Sequence, residues 1–250
     1  MALAEILAHQ QAFIKTLPDI GAALPPSERS FLAALQNSRL RPAVIAELKP
    51  KSPAQGLIAG ALYQPGQQAL LYKEGGAAAL SVLTEARYFG GSFQDLSIAR
   101  EASGLPVLCK DFIVADKQVK LARQAGADAV LLIVAALTLA QLTVLKQQIE
   151  AYKMLAVIEV HTSAELEMAL CVAPEIILIN NRNLWDLSMY PDKTMELLPG
   201  IPKTIPVISA SGFESTAAIT ALRDKVTAVL VGTHLMQHGA PHEFLKSLQP

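Results

Sequence analysis

The sequence predicts an α/β fold, a single (β/α)8 TIM barrel with an N-terminal helical extension, and three observations predict it. First, seven apolar runs recur along the 250 residues, at 43–49, 105–112, 127–134, 154–160, 175–182, 204–212 and 227–233. Near-continuous apolar runs mark parallel strands buried on both faces. Second, with the shorter ALSVLTEA at 79–86, strand starts fall near 43, 79, 106, 128, 155, 176, 206 and 228. Each gap has room for one helix, and such βα repeats favour a parallel sheet. Third, about 250 residues is the usual size of one such barrel. A doubly wound open sheet is the rival. The count of eight, and polar residues at the ends of nearly all strands, favour the closed barrel.

The elements follow in order. Leu3, Ile6, Leu7, Phe13, Ile14 and Leu17 repeat with helical spacing over 3–17, which predicts an amphipathic helix. Its apolar face makes a lid role over the site conceivable. Pro25-Pro26-Ser27 marks a break and an N-cap, before a short helix with Phe31, Leu32 and Leu35. This stretch, 1–42, reads as an extension packed on the barrel, and no composition break divides 1–250 into further domains. Helical patterns then fall at 67–74, 116–125, 139–152, 163–172 and 216–223, with Asp116, Thr138, Ser163 and Ser215 as caps.

Composition excludes several function classes. The net charge is −1 with no long run of one sign, which argues against a nucleic-acid surface. No basic segment leads into an apolar core and cleavage site at the N-terminus, and the apolar stretches break well before 18 residues. Neither a signal peptide nor a membrane span is therefore expected, and the cytoplasm is the default compartment. The two cysteines, Cys109 and Cys171, read as reduced core thiols. The five histidines form no metal set, since Gly239 and Pro241 interrupt the helix that would align His234, His238 and His242.

In such a barrel the chemistry sits where strands end. Glu47, Lys49, Lys110, Glu159, Asn180 and Ser211 would converge there. Glu47 and Lys49 are two apart, on one side of the first strand. Alone they could be an internal ion pair, which is costly to bury and adds little stability. Lys110 closes the third strand; desolvation there predicts a lowered pKa and a general-acid role. Glu159 ends the fifth strand and would partner Lys110 across the mouth. Asn180 and Arg182 end the sixth, the first to orient groups and the second to clamp an anion. Ser211-Gly212 and Gly232-Thr233 follow the seventh and eighth strands, where phosphate loops commonly form. Three cations against two carboxylates leave a positive mouth, which suits a small phosphorylated anion.

These residues lie in ELKPKSP (47–53), SVLTEARYFGGS (81–92), LPVLCKDFI (105–113), GADAVLLIV (126–134), IEV (158–160), INNRNL (179–184), SASG (209–212) and LVGTHLM (230–236). The series resembles indole-3-glycerol phosphate synthase of tryptophan biosynthesis, from about residue 1 to 245. The resemblance implies a carboxy-lyase that closes a ring on 1-(2-carboxyphenylamino)-1-deoxyribulose 5-phosphate, releasing CO2 and water. It implies no cofactor and no metal. Lys110 would be the general acid, Glu159 and Lys49 would serve the dehydration, and Glu47 and Asn180 would hold geometry. Ser211 would join this catalytic set beside the phosphate. Ser52 and Arg182 would meet the polar parts of the substrate. Phe89, Phe112, Leu131 and Leu184 would line the slot for its ring, and Gly212, Gly232 and Thr233 would bind its phosphate.

Four departures stand out. The family usually has SESG where this chain has SASG, with Ala210 for Glu. Asn183 stands for Asp, Phe213 for Ile, and Thr233 for Ser or Glu. Losing the carboxylate at 210 removes a negative charge near the lysines, which predicts lower Lys pKa values and an altered pH profile. Two alternatives remain open. One is a non-catalytic paralogue that only binds the ligand. The other is an isomerase acting on a similar amino-ribulose phosphate; it would need an Asp/Cys pair, and Cys109 points outward by alternation. The sequence does not fix the oligomeric state, for which a monomer or weak homo-oligomer is expected. The chain ends soon after the last helical stretch, which reads as monofunctional.

Overall fold

A computed structural model describes residues 3–18, 20–21, 24–60 and 63–249. Eight parallel strands close a barrel: β1 (Ala43–Leu48), β4 (Ala79–Leu83), β5 (Val107–Lys110), β6 (Ala129–Ile133), β7 (Leu155–Val160), β8 (Ile177–Asn180), β9 (Val207–Ala210) and β10 (Ala228–Val231). β1 pairs with both β10 and β4, which shuts the ring. The remaining two strands, β2 (Lys51–Ser52) and β3 (Gly56–Leu57), make a small antiparallel ribbon in the loop after β1. The barrel strands begin within a residue of the eight expected starts.

The helices are α1 (Leu3–Thr16), α2 (Phe31–Gln36), α3 (Pro65–Gly75), α4 (Ala86–Phe89), α5 (Phe93–Ser103), α6 (Asp116–Gln124), α7 (Leu139–Ala151), α8 (Ser163–Leu170), α9 (Lys193–Leu197), α10 (Thr216–Thr220), α11 (Thr233–Gln237) and α12 (Pro241–Lys246). All five helical patterns of the barrel are present. α5 was not picked out by periodicity, although Ser92 caps it by accepting from Asp95 N–H at 3.0 Å. Thr138 caps α7 and Ser215 caps α10, as expected. Two caps move. Thr162, not Ser163, caps α8. At α6, Gln118 does the work ascribed to Asp116: its Oε1 accepts from Val114 and Ala115 N–H at 2.9 and 3.2 Å.

Period-two alternation sorts the strand side chains. Val44, Ala46, Leu48, Val82, Cys109, Val130 and Ile158 belong to the cluster shared with the surrounding helices. Ile45, Leu108, Leu131, Val157, Leu178, Ile208 and Leu230 fill the barrel interior. A layered interior of this kind is a packed core, not a pore. Above it, Glu47, Lys110, Glu159 and Asn180 are the last inward residues of their strands. Cys109 is buried, but Cys171 ends α8 and is exposed. The expectation of two core thiols therefore fails for Cys171, because it caps the helix end away from the side that buries Leu166 and Ala169.

The extension grips both ends of the barrel. Ser27 caps no helix; Ser30 caps α2 instead. The Ser27 hydroxyl donates to Asp128 Oδ1 at 2.8 Å, and Asp128 Oδ2 accepts from Val107 N–H at 3.0 Å. Ser27 N–H also donates to Tyr152 C=O. At the opposite end Gln10 of α1 reaches Asp111, just past β5. Asp128 is 1% exposed, so Asp128→Ala strands a buried N–H. The expected cost is about 1–3 kcal/mol, read as a lower urea midpoint with an unchanged slope.

Candidate active site

The barrel mouth holds a cavity of about 500 Å³, within the usual range for small-molecule sites. It is lined by Glu47, Lys49, Lys110, Glu159, Asn180 and Ser211, and also by Ser52, Phe89, Phe112, Leu131, Arg182, Leu184, Gly212, Gly232 and Thr233. Each of these fifteen site residues named from the sequence lines one space, though they come from loops and strands spread over most of the chain.

Glu47 is the centre. Its Oε1 lies 3.1 Å from Lys49 Nζ and its Oε2 lies 3.7 Å from Lys110 Nζ. Ser81 Oγ donates to Oε2 at 3.4 Å. Burial opposes the Glu47 charge, but the two ammonium groups outweigh it and hold the carboxyl below the ordinary range. Lys110 shifts the other way from expectation. Desolvation works against its charge, yet Glu47 and Glu159 hold its pKa above the usual lysine value. The lowered pKa drawn from burial alone is thus corrected: counter-charges within a few ångströms win. Lys110 remains an ammonium and can only donate.

Glu159 behaves oppositely to Glu47. Burial raises its pKa, and Lys110 and the Asn180 hydrogen bond offset this only in part. Asn180 Nδ2 donates to Glu159 Oε1 at 2.9 Å. Asn180 Oδ1 accepts from Arg182 N–H at 3.0 Å and from Ser211 Oγ at 2.8 Å. Asn180 is therefore an orienting hub, not a turn residue. Arg182 donates through Nη1 to Leu187 C=O at 2.7 Å, which aims its guanidinium along the cavity wall. Phe89 and Phe112 stack at 5.9 Å between centroids, tilted by 36°, as one side of an apolar slot.

Two glycines carry steric arguments. Gly212 has φ +88°, and a Cβ there would meet Met189 Cε at 2.9 Å. At Gly232 a Cβ would sit 2.3 Å from Glu47 Oε1 and 3.2 Å from Lys49 Nζ. Gly232 thus makes room for the central ion pair as well as leaving its backbone open. Ser211 also adopts a positive φ, of 74°, costly for a residue with a side chain.

Sequence reasoning missed Ser81, Asp111 and His161. Asp111 lies inside the KDF stretch but had no assigned role. It is 2% exposed and lines the cavity. Burial pushes its carboxyl up to about 6, partly offset by hydrogen bonds from Thr84 and Phe112 N–H. Ser81 sits on the strand that was least apolar. His161 Nδ1 lies 2.7 Å from Asn180 C=O, and nothing in the sequence pairs the two. Among the described residues, no three His, Cys, Asp or Glu side chains gather as a metal set. Nor is any helix there long and apolar enough to cross a membrane.

Two carboxylates driven apart in pKa around a protonated lysine define an acid–base enzyme built on a (β/α)8 barrel. The sequence profile of indole-3-glycerol phosphate synthase matches residues 3–248. An indole-3-glycerol phosphate synthase of Micrococcus luteus is 43% identical over 231 residues, covering 91% of this chain and 86% of that one. One from Dechloromonas aromatica is 41% identical over 240 residues, covering 95% and 91%. Among solved structures, KGPDC from Streptococcus mutans superposes with a TM-score of 0.64 at 12% identity, covering 83% of this chain and 95% of that chain; this likeness concerns the fold alone. The chain belongs to the indole-3-glycerol phosphate synthase family.

Because Gly232 leaves space for Glu47, Gly232→Ala should displace the Glu47–Lys49 pair. The expected outcome is a loss of kcat/KM of about 10²-fold with the thermal midpoint lowered only slightly. Steady-state kinetics beside a melting curve checks it.

Proposed function

We propose that the protein converts 1-(2-carboxyphenylamino)-1-deoxyribulose 5-phosphate to indole-3-glycerol phosphate, CO2 and water. One observation carries this reading: the Glu47 carboxylate lies between Lys49 and Lys110, at 3.1 and 3.7 Å, on the floor of an aromatic-walled cavity. Ring closure needs a proton at a ketone oxygen, and an ammonium kept charged by its neighbours supplies one. The ring carbon attacks the ketone carbon, and the carbonyl oxygen takes the Lys110 proton and becomes a hydroxyl. The carboxylate then leaves as CO2, its electron pair returning to the ring system. The hydroxyl departs as water, with a second proton supplied from the mouth and one removed from the ring methylene beside the nitrogen, which leaves the indole N–H in place. Glu159, raised in pKa, and Lys49 serve that dehydration.

Phe89, Phe112, Leu131 and Leu184 take the anthranilate ring. Gly212, Gly232 and Thr233 take the phosphate, with Ser211 held beside them by Asn180. Ser52 and Arg182 meet the remaining polar groups. Binding energy from the phosphate holds the ring where its carboxylate twists out of conjugation. A single domain, working as a monomer or weak homo-oligomer in the cytoplasm, fits the small substrate and the even charge.

Asn183 is no sign of lost function. Its Oδ1 accepts from Trp185 N–H at 2.8 Å, a local turn bond that an Asp would make equally. Ala210 faces the barrel interior beside Asn180 in register. Placing a carboxylate there adds negative charge near Lys110 and favours its ammonium form. Ala210→Glu should therefore move the high-pH limb of the kcat profile to higher pH; overlapping profiles would remove this idea. Lys110→Ala should lower kcat by about 10²–10⁴-fold, followed by indole fluorescence. Wild-type protein that binds this substrate tightly without turnover would instead make it a ligand-binding paralogue.

A further inference from the structure

We propose that Gln10, on the helix that precedes the barrel, is a positioning residue that acts through Asp111 to fix the loop carrying Lys110 and Phe112. The proposal rests on the synthase reading of the site. Gln10 is 2% exposed, the third member of the buried stripe of α1 after Leu3 and Ile6. A glutamine on an apolar stripe is costly to bury unless its amide is fully used. Here both of its polar atoms are paired: Nε2 donates to Asp111 Oδ1 at 2.7 Å, and Oε1 accepts from Gln118 Nε2 at 3.2 Å.

Asp111 in turn holds the site. Its Oδ1 also accepts from Phe112 N–H at 2.7 Å, and its Oδ2 accepts from Thr84 Oγ at 2.7 Å. Gln118 Nε2 donates to Phe112 C=O at 3.0 Å. Both backbone groups of Phe112 are thereby tied to a buried network that runs into α1. The residue before Asp111 is the general acid, and the residue after it walls the ring slot. At the end of the neighbouring strand β4, His9 Nδ1 lies 3.5 Å from Glu85 Oε1. Glu85 caps the short α4 that carries Phe89. Consecutive residues of α1 therefore reach the supports of both slot phenylalanines.

Extension and barrel thus form one active unit. α1 braces the site by the hydrogen bond from Gln10 to Asp111 and sets His9 beside Glu85, which goes beyond a lid that merely covers it. Leu3 and Ile6 keep α1 docked by apolar burial, so loss of the Gln10 amide should loosen the loop without releasing the helix.

The test is a double-mutant cycle on the full chain, with Gln10→Leu, Asp111→Asn and both together. Gln10→Leu should lower kcat about tenfold, with a smaller change in KM because the phosphate loops after β9 and β10 are untouched. Amide exchange at Phe112 should quicken in the same variant while the thermal midpoint stays nearly constant. In the Asp111→Asn background the Gln10→Leu loss should vanish, since the two act in series. Equal losses in both backgrounds, or an unchanged kcat with wild-type turnover intact, would overturn the positioning role and leave the synthase reading standing. Absence of turnover in wild type would overturn both.

Discussion

The site depends on one carboxylate placed between two ammonium groups. Burying Glu47 alone would be prohibitive, and burying either lysine alone would push it toward neutrality. Together, with Lys49 at 3.1 Å and Lys110 at 3.7 Å, they are stable enough to sit at the top of a packed barrel. The barrel supplies the geometry. β1 pairs with β4 and β10, so Glu47 has Ser81 as its register partner on one side and the space over Gly232 on the other. Separating β1 from β4 would take Ser81 and Lys110 away from Glu47 and leave it only Lys49.

From that arrangement the division of labour follows. Glu47 has two cationic neighbours and stays ionised. Glu159 faces Lys110 with Asn180 as its hydrogen-bond donor, and burial raises it. Lys110 lies under the influence of both and keeps its proton. A donor, a fixed anion and a carboxyl ready to change protonation state are what ring closure followed by dehydration requires. Ala210 leaves the interior apolar at a position facing this group. Lys49, Lys110 and Arg182 line the cavity with four carboxyl groups, those of Glu47, Asp111, Glu159 and Glu214, so the positive mouth expected from two carboxylates does not hold.

Much of this was legible in the sequence, for physical reasons. Strands buried on both faces must be apolar, so the runs that end at Lys110, Glu159 and Asn180 announced both the barrel and its mouth. Gly212 and Gly232 stood at the expected ends. What escaped depended on partners far apart in the chain. The direction of the Lys110 shift needs the distance to Glu47, which no spacing gives. Ser27 looked like a cap because it follows two prolines, but its hydroxyl is taken by Asp128, 101 positions away. Cys171 follows an apolar helical stretch but sits at its end, away from the side that buries Leu166 and Ala169. Helix α5 hides behind a polar surface with only Leu96, Ala99 and Ser103 buried. Gln10 and Asp111 look unrelated until folding brings them to 2.7 Å.

The most direct test of this electrostatic arrangement is a heteronuclear NMR titration of the Lys110 side chain in the free protein. The Glu47 and Glu159 charges predict a pKa above the ordinary lysine value of 10.5. A Lys110 pKa below that value would mean that desolvation outweighs the carboxylates, and would contradict the role of Glu47 as the anion that keeps the general acid charged.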